Sequence, residues 1–305
     1  MKRKMETSEL IFKIVAYFFL IVFSLMCIYP LIYALSSAFS SQTAVESGQV
    51  VLWPVGLDGT AFLSVLQDNT FWIAYANTLF VTFFGTVWSL FYSILGAYAL
   101  SKKRLLGRRG WNFFLVFTMW FSAGIIPQYL NYMDTAAIFS NIGINDMKWT
   151  VVIAMGMNAQ NIILLRNAFE GVPSEIEEAA RIDGATEMQV LSKVYIPMSN
   201  STIATVALFF GISRWNGYFW SMKVMGSQKY SWPVQVYIRD FITNSTQLTN
   251  GCDDETYQVY LQTHDYSPLS VLYSMVVCAV IPILCIYPFI SKYFAKGVNM
   301  GGVKE

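Results

Sequence analysis

The chain has 305 residues, of which 55% are hydrophobic and only 13% are charged, and its mean hydropathy is +0.45. A soluble domain carries about 25% charged residues, so this composition excludes an ordinary soluble protein and indicates a membrane protein. The formal net charge of +1 gives no indication of nucleic-acid binding. The four cysteines form no C-x-x-C pair, and a single histidine, His264, excludes a histidine-based metal cluster.

Long apolar stretches divide the chain. A transmembrane helix needs roughly 20 mostly apolar residues. Six stretches meet this condition: Ile11–Phe39, Phe71–Leu100, Trp111–Leu130, Thr150–Phe169, Ser199–Tyr218 and Leu269–Phe294. The first is too long for the apolar region of a cleaved signal peptide, about 7–15 residues, so we expect it to remain as an anchor. The sequence therefore predicts an all-α integral membrane protein with six transmembrane helices.

The basic residues are unevenly distributed between alternate loops. With the N-terminus in the cytoplasm, 15 of the 20 Lys and Arg residues fall in cytoplasmic segments: Lys2, Arg3, Lys4, Lys13, Lys102, Lys103, Arg104, Arg108, Arg109, Arg166, Arg181, Lys193, Lys292, Lys296 and Lys304. The outer segments contain Lys148, Lys223, Lys229 and Arg239, and Arg214 lies within a span. Cytoplasmic loops carry the excess of Lys and Arg, so we predict that both termini are cytoplasmic. Binding of anionic lipid or RNA is the alternative for the cluster at residues 102–109.

These boundaries divide the chain into three parts. Residues 1–70 form an anchor helix with an outer loop, residues 71–294 form a core of five transmembrane helices, and residues 295–305 form a cytoplasmic tail. Within the core, we expect a cytoplasmic loop at residues 171–197 and a long outer loop at residues 222–268. Such long connectors are usually functional.

The polar segment of residues 175–198 predicts two short helices within the cytoplasmic loop. Ser174 and Glu177 are spaced as in a capping box, which begins a helix, and Gly184 permits a turn that a β-carbon would resist. Apolar side chains at i, i+3 and i+7 then predict one apolar face on a second helix: Met188, Leu191 and Tyr195. Helices that rest on anionic lipid are rich in Lys and Arg. An acidic helix therefore favours a protein partner, with the lipid surface as the alternative.

The loop resembles a known motif. EAARIDG at Glu178–Gly184, followed after nine residues by VYIP at Val194–Pro197, resembles the E-A-A-x3-G-x9-I-x-L-P loop of ABC-type importer permeases, with conservative variants at Val194 and Ile196. Further stretches are similar to carbohydrate-importer permeases of the maltose-transporter type: GAYALSKKR, FSAGIIPQYL, RNAFEGVPSEIEEAARIDGA and KGVNMGGVKE. FSAGIIPQYL, RWNGYF and WPVQVYIRD are most similar to the branch that imports complex oligosaccharides.

This resemblance implies a type I ABC importer permease (MetI-like) core with a cytoplasmic EAA coupling helix, in the bacterial cytoplasmic membrane. It implies that the chain moves a sugar or oligosaccharide, delivered by an extracytoplasmic solute-binding protein, together with a second permease subunit and two copies of a cytoplasmic ABC ATPase. The chain contains no G-x-x-x-x-G-K-[ST] motif. We therefore expect it to be a transport subunit rather than an enzyme, without a cofactor of its own, while ATP and Mg²⁺ are bound by the partner ATPase.

The resemblance also implies residues that couple the chain to the ATPase: Glu178, Ala179, Ala180, Arg181, Asp183, Gly184 and Pro197. Glu178 is expected to meet basic or polar groups of the ATPase, and Ala179 and Ala180 to allow close approach. Gly184 is expected to set the bend, and Pro197 to end or bend the second helix. Pairing within the loop is the alternative role of Arg181 and Asp183. In the family a tail like residues 299–305 reaches between the ATPases; a frayed terminus is the alternative.

Polar side chains within the spans indicate a path for the solute. Intramembrane polar groups are costly and usually face a cavity or a partner, and sugars are bound by aromatic faces and amide groups. The candidates are Asn158, Asn161, Trp215 and Asn216. The alternative is hydrogen bonding between helices, worth about 0.6–2 kcal/mol each, and Asn77 and Thr78 are open to the same two interpretations. Arg214 either joins the path or extends outward to the interface.

Other roles remain for comparison. The outer segment 222–268 is either a docking surface for the solute-binding protein or a plug packed on its own helices. In one alternative, the pore is a heterodimer and the second permease, rather than this chain, supplies the contacts to the solute. In another alternative, the transported solute is not a sugar. An ion-driven transporter would need carboxylates within the spans, whereas the Asp and Glu residues here fall in loops or at span edges. A structural or sensory subunit would not need the EAA spacing.

Overall fold

The computed structural model describes residues 7–121, 123–226, 228–251, 259, 261 and 263–299. Within these residues it contains helices and turns without a strand, and one isolated bridge joins Ser40 and Leu57. The all-α prediction is therefore confirmed. Of the predicted tail 295–305, residues 300–305 lie outside the described residues, as do residues 252–258 of the outer segment 222–268.

The described residues form α-helices of very different lengths. In chain order they are α1 Thr7–Ala38, α2 Gln42–Glu46, α3 Thr60–Gln67, α4 Asn69–Ser101, α5 Arg108–Trp120, α6 Ile125–Asn141, α7 Met147–Ala154, α8 Ala159–Glu170, α9 Ser174–Ile182, α10 Glu187–Val190, α11 Ile196–Met198, α12 Asn200–Trp215, α13 Tyr218–Met225, α14 Val234–Gly251 and α15 Pro268–Asn299. A π-helical turn, Leu191–Tyr195, joins α10 to α11, and a 3₁₀ turn, Lys229–Ser231, precedes α14.

Among the residues that the structure describes, three helices are long and apolar enough to cross a membrane: Ser8–Ala38, Asn69–Ser101 and Pro268–Ile286. They correspond to the first, second and sixth predicted spans. The third and fifth predicted spans lie in bent helix pairs, and counting each pair as one span raises the number to five. In one of these pairs, residues 187–198 meet α12 at 86°.

The fourth predicted span, Thr150–Phe169, is two short helices instead of one. α7 ends at Ala154 and α8 begins at Ala159. Asn158 caps α8 by accepting a hydrogen bond from the backbone N–H of Asn161 at 3.1 Å. An N-cap residue has a non-helical backbone, so the polar Asn158 starts a new helix where the apolar composition alone suggested continuity.

The first of two compact units comprises Met1–Asn69 and Ile238–Ile281. Most large apolar side chains of α1 are exposed in this chain. Ala44 and Val45 of α2 form a small core with Val50. The Gln42 side chain donates to the carbonyl oxygens of Leu261 at 3.0 Å and His264 at 3.3 Å. The outer segment 222–268, predicted as a loop, thus contains the helix α14 and returns to contact α2.

The second unit comprises Thr70–Tyr237 and Pro282–Glu305. One of its apolar cores lies among α4, α8, the π-helical turn and α12, and contains the buried side chains of Leu165, Phe169, Tyr195 and Val206. Another core joins α4, α6, α7, α13 and the start of α14. These cores hold the short helices α7 to α13 against the long helix α4.

Asn77 and Thr78 serve as ties between elements of the second unit. The Asn77 amide donates to the carbonyl oxygens of Tyr230 at 2.7 Å and Trp232 at 3.1 Å. The Thr78 hydroxyl accepts from the backbone N–H of Val234 at 2.7 Å. Both side chains are therefore used to fasten the start of α14 to α4.

Candidate functional site

A cavity of about 460 Å³ lies within the second unit, next to the break between α7 and α8. Its lining combines four amide side chains, several aromatic rings and one arginine: Gln128, Tyr132, Ala154, Met155, Met157, Asn158, Gln160, Asn161, Phe209, Phe210, Ser213, Arg214 and Trp220. Binding pockets typically measure about 300–1,000 Å³ and place a few polar groups among apolar walls. The cavity therefore has the size and chemistry of a binding site for a polar organic solute.

Two of the predicted path residues, Asn158 and Asn161, line this cavity, whereas Trp215 and Asn216 do not. Trp215 is buried and its ring lies edge-on to Tyr75, with the ring centroids 6.0 Å apart. Asn216 is exposed at the C-terminal end of α12. In a helix, residues three or four positions apart share a face. The adjacent residues of the short motif RWNGYFW therefore point in different directions, and its polar groups do not all face one side.

Sequence reasoning missed lining residues on α6 and α13. Gln128 and Tyr132 lie four residues apart on α6, and the Gln128 amide donates to the Tyr132 hydroxyl at 2.7 Å. Trp220 of α13 packs edge-on against Tyr132, with ring centroids 4.9 Å apart. The i, i+4 spacing of Gln128 and Tyr132 was a usable signal, because it places both side chains on one face of a helix.

Arg214 is buried in the second unit, contrary to the alternative in which it extends outward. Its guanidinium donates to carbonyl oxygens at the end of α7, namely those of Val151 (2.7 Å) and Met155 (2.6 Å), and to Ser89 Oγ (3.0 Å). A β-carbon at Gly85 would lie 3.0 Å from its Nε atom. Arg214 thus closes the end of α7, and Gly85 gives the guanidinium its space.

The predicted capping box at Ser174 and Glu177 is wrong. α9 begins at Ser174 without a side-chain cap, and Pro173 is the residue before it. A complete capping box is present at Thr186 and Gln189 instead, where each side chain bonds the other residue's backbone N–H. Glu177 is unavailable for capping because its carboxylate is engaged elsewhere.

Glu177 is held by three side chains from different parts of the second unit. Its carboxylate lies 2.8 Å from Lys102 Nζ and 2.6 Å from Arg181 Nη2, and it accepts a hydrogen bond from the Tyr195 hydroxyl. Lys102 is 8% exposed, and its ammonium lies 4.1 Å from the ring centroid of Tyr98 and 3.9 Å from that of Tyr195. We call these five residues the Lys102–Glu177 clamp. It fastens α9 to the residue that follows α4.

Burial and ion pairing act against each other in this clamp. Burial alone would raise the pKa of Glu177, but hydrogen bonds from Lys102, Tyr195 and Arg181 outweigh it and lower the pKa to about 2. Burial lowers the pKa of Lys102 below its ordinary value, although Glu177 opposes that shift. The carboxylate is therefore firmly ionised at neutral pH.

The basic cluster at residues 102–109 is largely paired within this chain. Beyond Lys102, Arg104 pairs with Glu187, and Arg108 pairs with Glu170. Arg181 also reaches Glu187 at 2.8 Å. These pairs use the cluster to fix the loop and α8, which weakens the alternative of lipid or RNA binding.

One stripe of α9 stays free in this chain. Glu178 and Ala179 are exposed, and Ile182 is 86% exposed although it is a large apolar residue. At 100° per residue Ala179 and Ile182 lie away from Glu177 and Arg181, which face the clamp, and Glu178 lies at the edge of this exposed side. Ala180 differs from Ala179, because it is partly buried against the apolar core. We call the stripe of Glu175, Glu178, Ala179 and Ile182 the exposed face of α9.

The turn after α9 follows the prediction at Gly184, whose φ is +80°. A β-carbon there would strain the backbone. Asp183, beside it, is exposed. The predicted apolar face of the second helix is wrong at Met188, which is 63% exposed while Leu191 and Tyr195 are buried.

Pro197 lies inside α11, directly after the π-helical turn. α11 ends one residue later, at Met198, and residues 187–198 meet α12 at 86°. Proline removes a backbone donor and disfavours continued helix. The loop is therefore a set of short helices joined by tight bends and closed onto α4.

A membrane protein whose described residues are helical, with a polar cavity and a loop clamped to its longest helix, is organised as a transport subunit. Residues 3–300 match the family model of the binding-protein-dependent transport system inner membrane component. The chain belongs to this family, which consists of ABC transporter permeases; it is a membrane-embedded transport subunit rather than an enzyme. Its system includes a solute-binding protein and an ATPase.

Curated relatives resemble the chain over nearly its full length. The polygalacturonan/rhamnogalacturonan transport system permease protein YtcP of Bacillus subtilis (strain 168) is 32% identical over 96% of this chain and 98% of that protein. The maltodextrin transport system permease protein MdxG of the same organism is 26% identical over 98% of this chain and 99% of that protein.

A solved structure is also similar. A chain in the crystal structure of a bacterial ABC transporter involved in the import of the acidic polysaccharide alginate is 42% identical. The match covers 96% of this chain and 100% of that chain, with a TM-score of 0.83. The agreement supports the MetI-like permease fold for the whole described chain.

Proposed function

We propose that this chain forms part of the path by which an oligosaccharide enters the cell. The cavity beside the α7–α8 break carries the proposal, because it offers both aromatic rings and amide groups to a solute. Sugar rings stack on aromatic faces, and their hydroxyl groups hydrogen-bond to amides. The permeases for polygalacturonan and maltodextrin among the relatives support a saccharide over a non-sugar solute.

The ATPase docks on the exposed face of α9 and on the turn at Asp183 and Gly184, while Ala180 and Arg181 of the predicted coupling set hold α9 against the apolar core and the clamp. An apolar side chain as exposed as Ile182 favours a protein partner, and the small side chain of Ala179 allows close approach. ATP and Mg²⁺ are bound by that partner. The Lys102–Glu177 clamp and Pro197 connect the docking face to α4 and α12, so closure of the ATPases moves the helices around the cavity.

The complete importer contains this chain, a second permease subunit, two ATPase copies and an extracytoplasmic solute-binding protein. The outer segment 222–268 forms the docking surface for the solute-binding protein. This arrangement places both termini and the tail 295–305 on the cytoplasmic side of a bacterial cell membrane. The excess of Lys and Arg around α4, α5 and α9 supports that orientation.

Cysteine labelling tests the orientation. In a background without Cys27, Cys252, Cys278 and Cys285, we expect Leu106→Cys to react with a membrane-impermeant maleimide only in inverted vesicles. Leu106 is 91% exposed and lies beside the paired basic cluster. Asn244→Cys, at an exposed position of α14, should react only in intact cells. Labelling of position 106 in intact cells would show that the predicted topology is reversed and that a cytoplasmic ATPase cannot dock on α9.

Purification followed by reconstitution tests the function. We expect a tagged chain, extracted in mild detergent, to bring with it a second permease and an ATPase that contains G-x-x-x-x-G-K-[ST]. In proteoliposomes this complex should import labelled oligosaccharide only when ATP and the solute-binding protein are supplied. Uptake by the chain alone, driven by a proton or sodium gradient, would instead establish a secondary transporter.

A further inference from the structure

Groups of positive charge contribute to the lining of the cavity. The start of α8, a helix of 12 residues, contributes Asn158, Gln160 and Asn161 to the lining. The first backbone N–H groups of a helix lack acceptors within it and carry partial positive charge. Arg214 lines the same cavity. The described residues of the lining include neither Asp nor Glu.

Asn161 has hydrogen-bonding capacity that this chain leaves unused. The residue is 7% exposed and lines the cavity. Its backbone N–H donates to Asn158 Oδ1, whereas its side-chain amide has no hydrogen-bond partner in the described part of the chain. Its amide atoms are not among the fully buried side-chain atoms without a partner, so the amide opens onto the cavity that the residue lines. An amide donor that is accessible there has a ligand as its available partner.

The charge of Arg214 lacks a counter-ion. Arg214 is buried, with 6% of the residue exposed, and the partners of its guanidinium are Ser89 and three backbone carbonyl oxygens. The ion pairs found among the described residues do not include it. The carbonyl end of α7 offsets roughly half of a unit charge. Since buried charges are normally paired, the remainder favours an anion in the cavity.

We infer that the cavity contains a carboxylate subsite, so that the saccharide transported by this chain is acidic and contains uronic acid units. The inference rests on the proposed function and names its substrate class. Asn161 Nδ2 and the first N–H groups of α8 donate charge-assisted hydrogen bonds to the carboxylate. Arg214, whose guanidinium is already bonded to carbonyl oxygens, contributes charge rather than direct contact. A neutral sugar would leave that charge uncompensated.

The decisive experiment compares a carboxylate with its ester on the same sugar. The probes are labelled trisaccharides of galacturonate and of mannuronate, each as the free acid and as the methyl ester. Equilibrium dialysis measures their binding to the purified complex without the solute-binding protein, which would impose its own selectivity. We expect one free acid to bind about tenfold or more tightly than its ester, the scale of a charge-assisted hydrogen bond.

Variants of Asn161 localise the effect. Asn161→Asp places a like charge in the subsite, so affinity for the acid should fall about tenfold or more relative to affinity for the ester. Asn161→Ala removes the donor without adding charge and should lower the affinity for the acid severalfold. If the Asp variant does not assemble, the Ala variant alone tests whether Asn161 belongs to the subsite. Asn167→Asp is the matched control, because Asn167 is exposed on the same helix outside the cavity.

The possible outcomes distinguish failure of the carboxylate subsite from failure of the proposed oligosaccharide import. Equal affinity of the wild type for acid and ester overturns the carboxylate subsite and leaves oligosaccharide import standing. The same holds if neither Asn161 variant changes the preference, or if Asn167→Asp changes it equally. Failure of all four probes to bind overturns the subsite, and the uptake experiment then decides independently whether the complex imports a saccharide.

Discussion

Replacing Lys102 with methionine is expected to reduce ATP-driven uptake by about tenfold or more and to lower the thermal stability of the complex. Lys102 is the most buried cation of the loop region, and Glu177 lies 2.8 Å from it. Removing one partner of a buried ion pair costs about 3–5 kcal/mol, because the other charge stays buried. Arg181 and Tyr195 still hold Glu177, so the loss should fall near the lower limit.

A second substitution shows whether the pair itself is responsible. Glu177→Gln in the Lys102→Met background removes the orphaned charge, and replacing both members of a buried pair is often nearly neutral. The double variant should therefore regain about 1 kcal/mol or more relative to Lys102→Met, as a double-mutant cycle on thermal unfolding in detergent measures. Uptake should recover in parallel, because α9 is again packed against α4.

The neighbouring lysine provides the control. Lys103 is exposed, so Lys103→Met removes the same charge from the same turn without affecting the clamp. It should leave uptake and the unfolding midpoint unchanged. If Lys103→Met and Lys102→Met behave alike, overall charge matters and the clamp does not position the loop.

Changes on the exposed face of α9 are expected to abolish uptake for a different reason. Glu178→Lys and Ile182→Asp alter side chains that make no contribution to the clamp, and both are exposed. The reversed charge near the positive end of the helix costs about 0.3–1 kcal/mol locally, too little to unfold the membrane helices. Loss of a paired charge at an interface costs about 2–5 kcal/mol, which should release the ATPase.

Pull-down of the ATPase with each variant measures this effect. We expect both variants to insert in the membrane at the wild-type level, to lose the ATPase and to lose uptake. Asp134→Lys is the matched control, since it reverses an exposed acid on α6, away from the loop. Normal ATPase retention with normal uptake in both α9 variants would show that this face is not where the ATPase docks.

Much of the fold could be predicted from local sequence. The uninterrupted apolar runs of α1, α4 and α15 exceed the length needed to cross a membrane, and each is a single helix in the structure. Gly184 takes the positive φ that its place between two helices required. The family motif likewise lies in contiguous residues, so its place in the chain was evident without tertiary contacts.

The cavity could be predicted only in part. Asn158 and Asn161 were found because amides are conspicuous in an apolar stretch. Trp215 and Asn216 were included on the same ground, yet they lie outside the lining. Composition reveals that a polar residue is present in a span, but the direction of its side chain depends on helix rotation and packing.

What the sequence by itself determined is the membrane class, the principal apolar helices, the position of the polar loop and its bend at Gly184. Each depends on residues close together in the chain. The tertiary structure alone decided the partner of Glu177 and the burial of Arg214 against the end of α7. Lys102 and Val151 stand far from their partners in sequence. Such pairings arise only when packing brings distant helices together and excludes water, because it is the cost of leaving a buried charge or carbonyl unpaired that selects them.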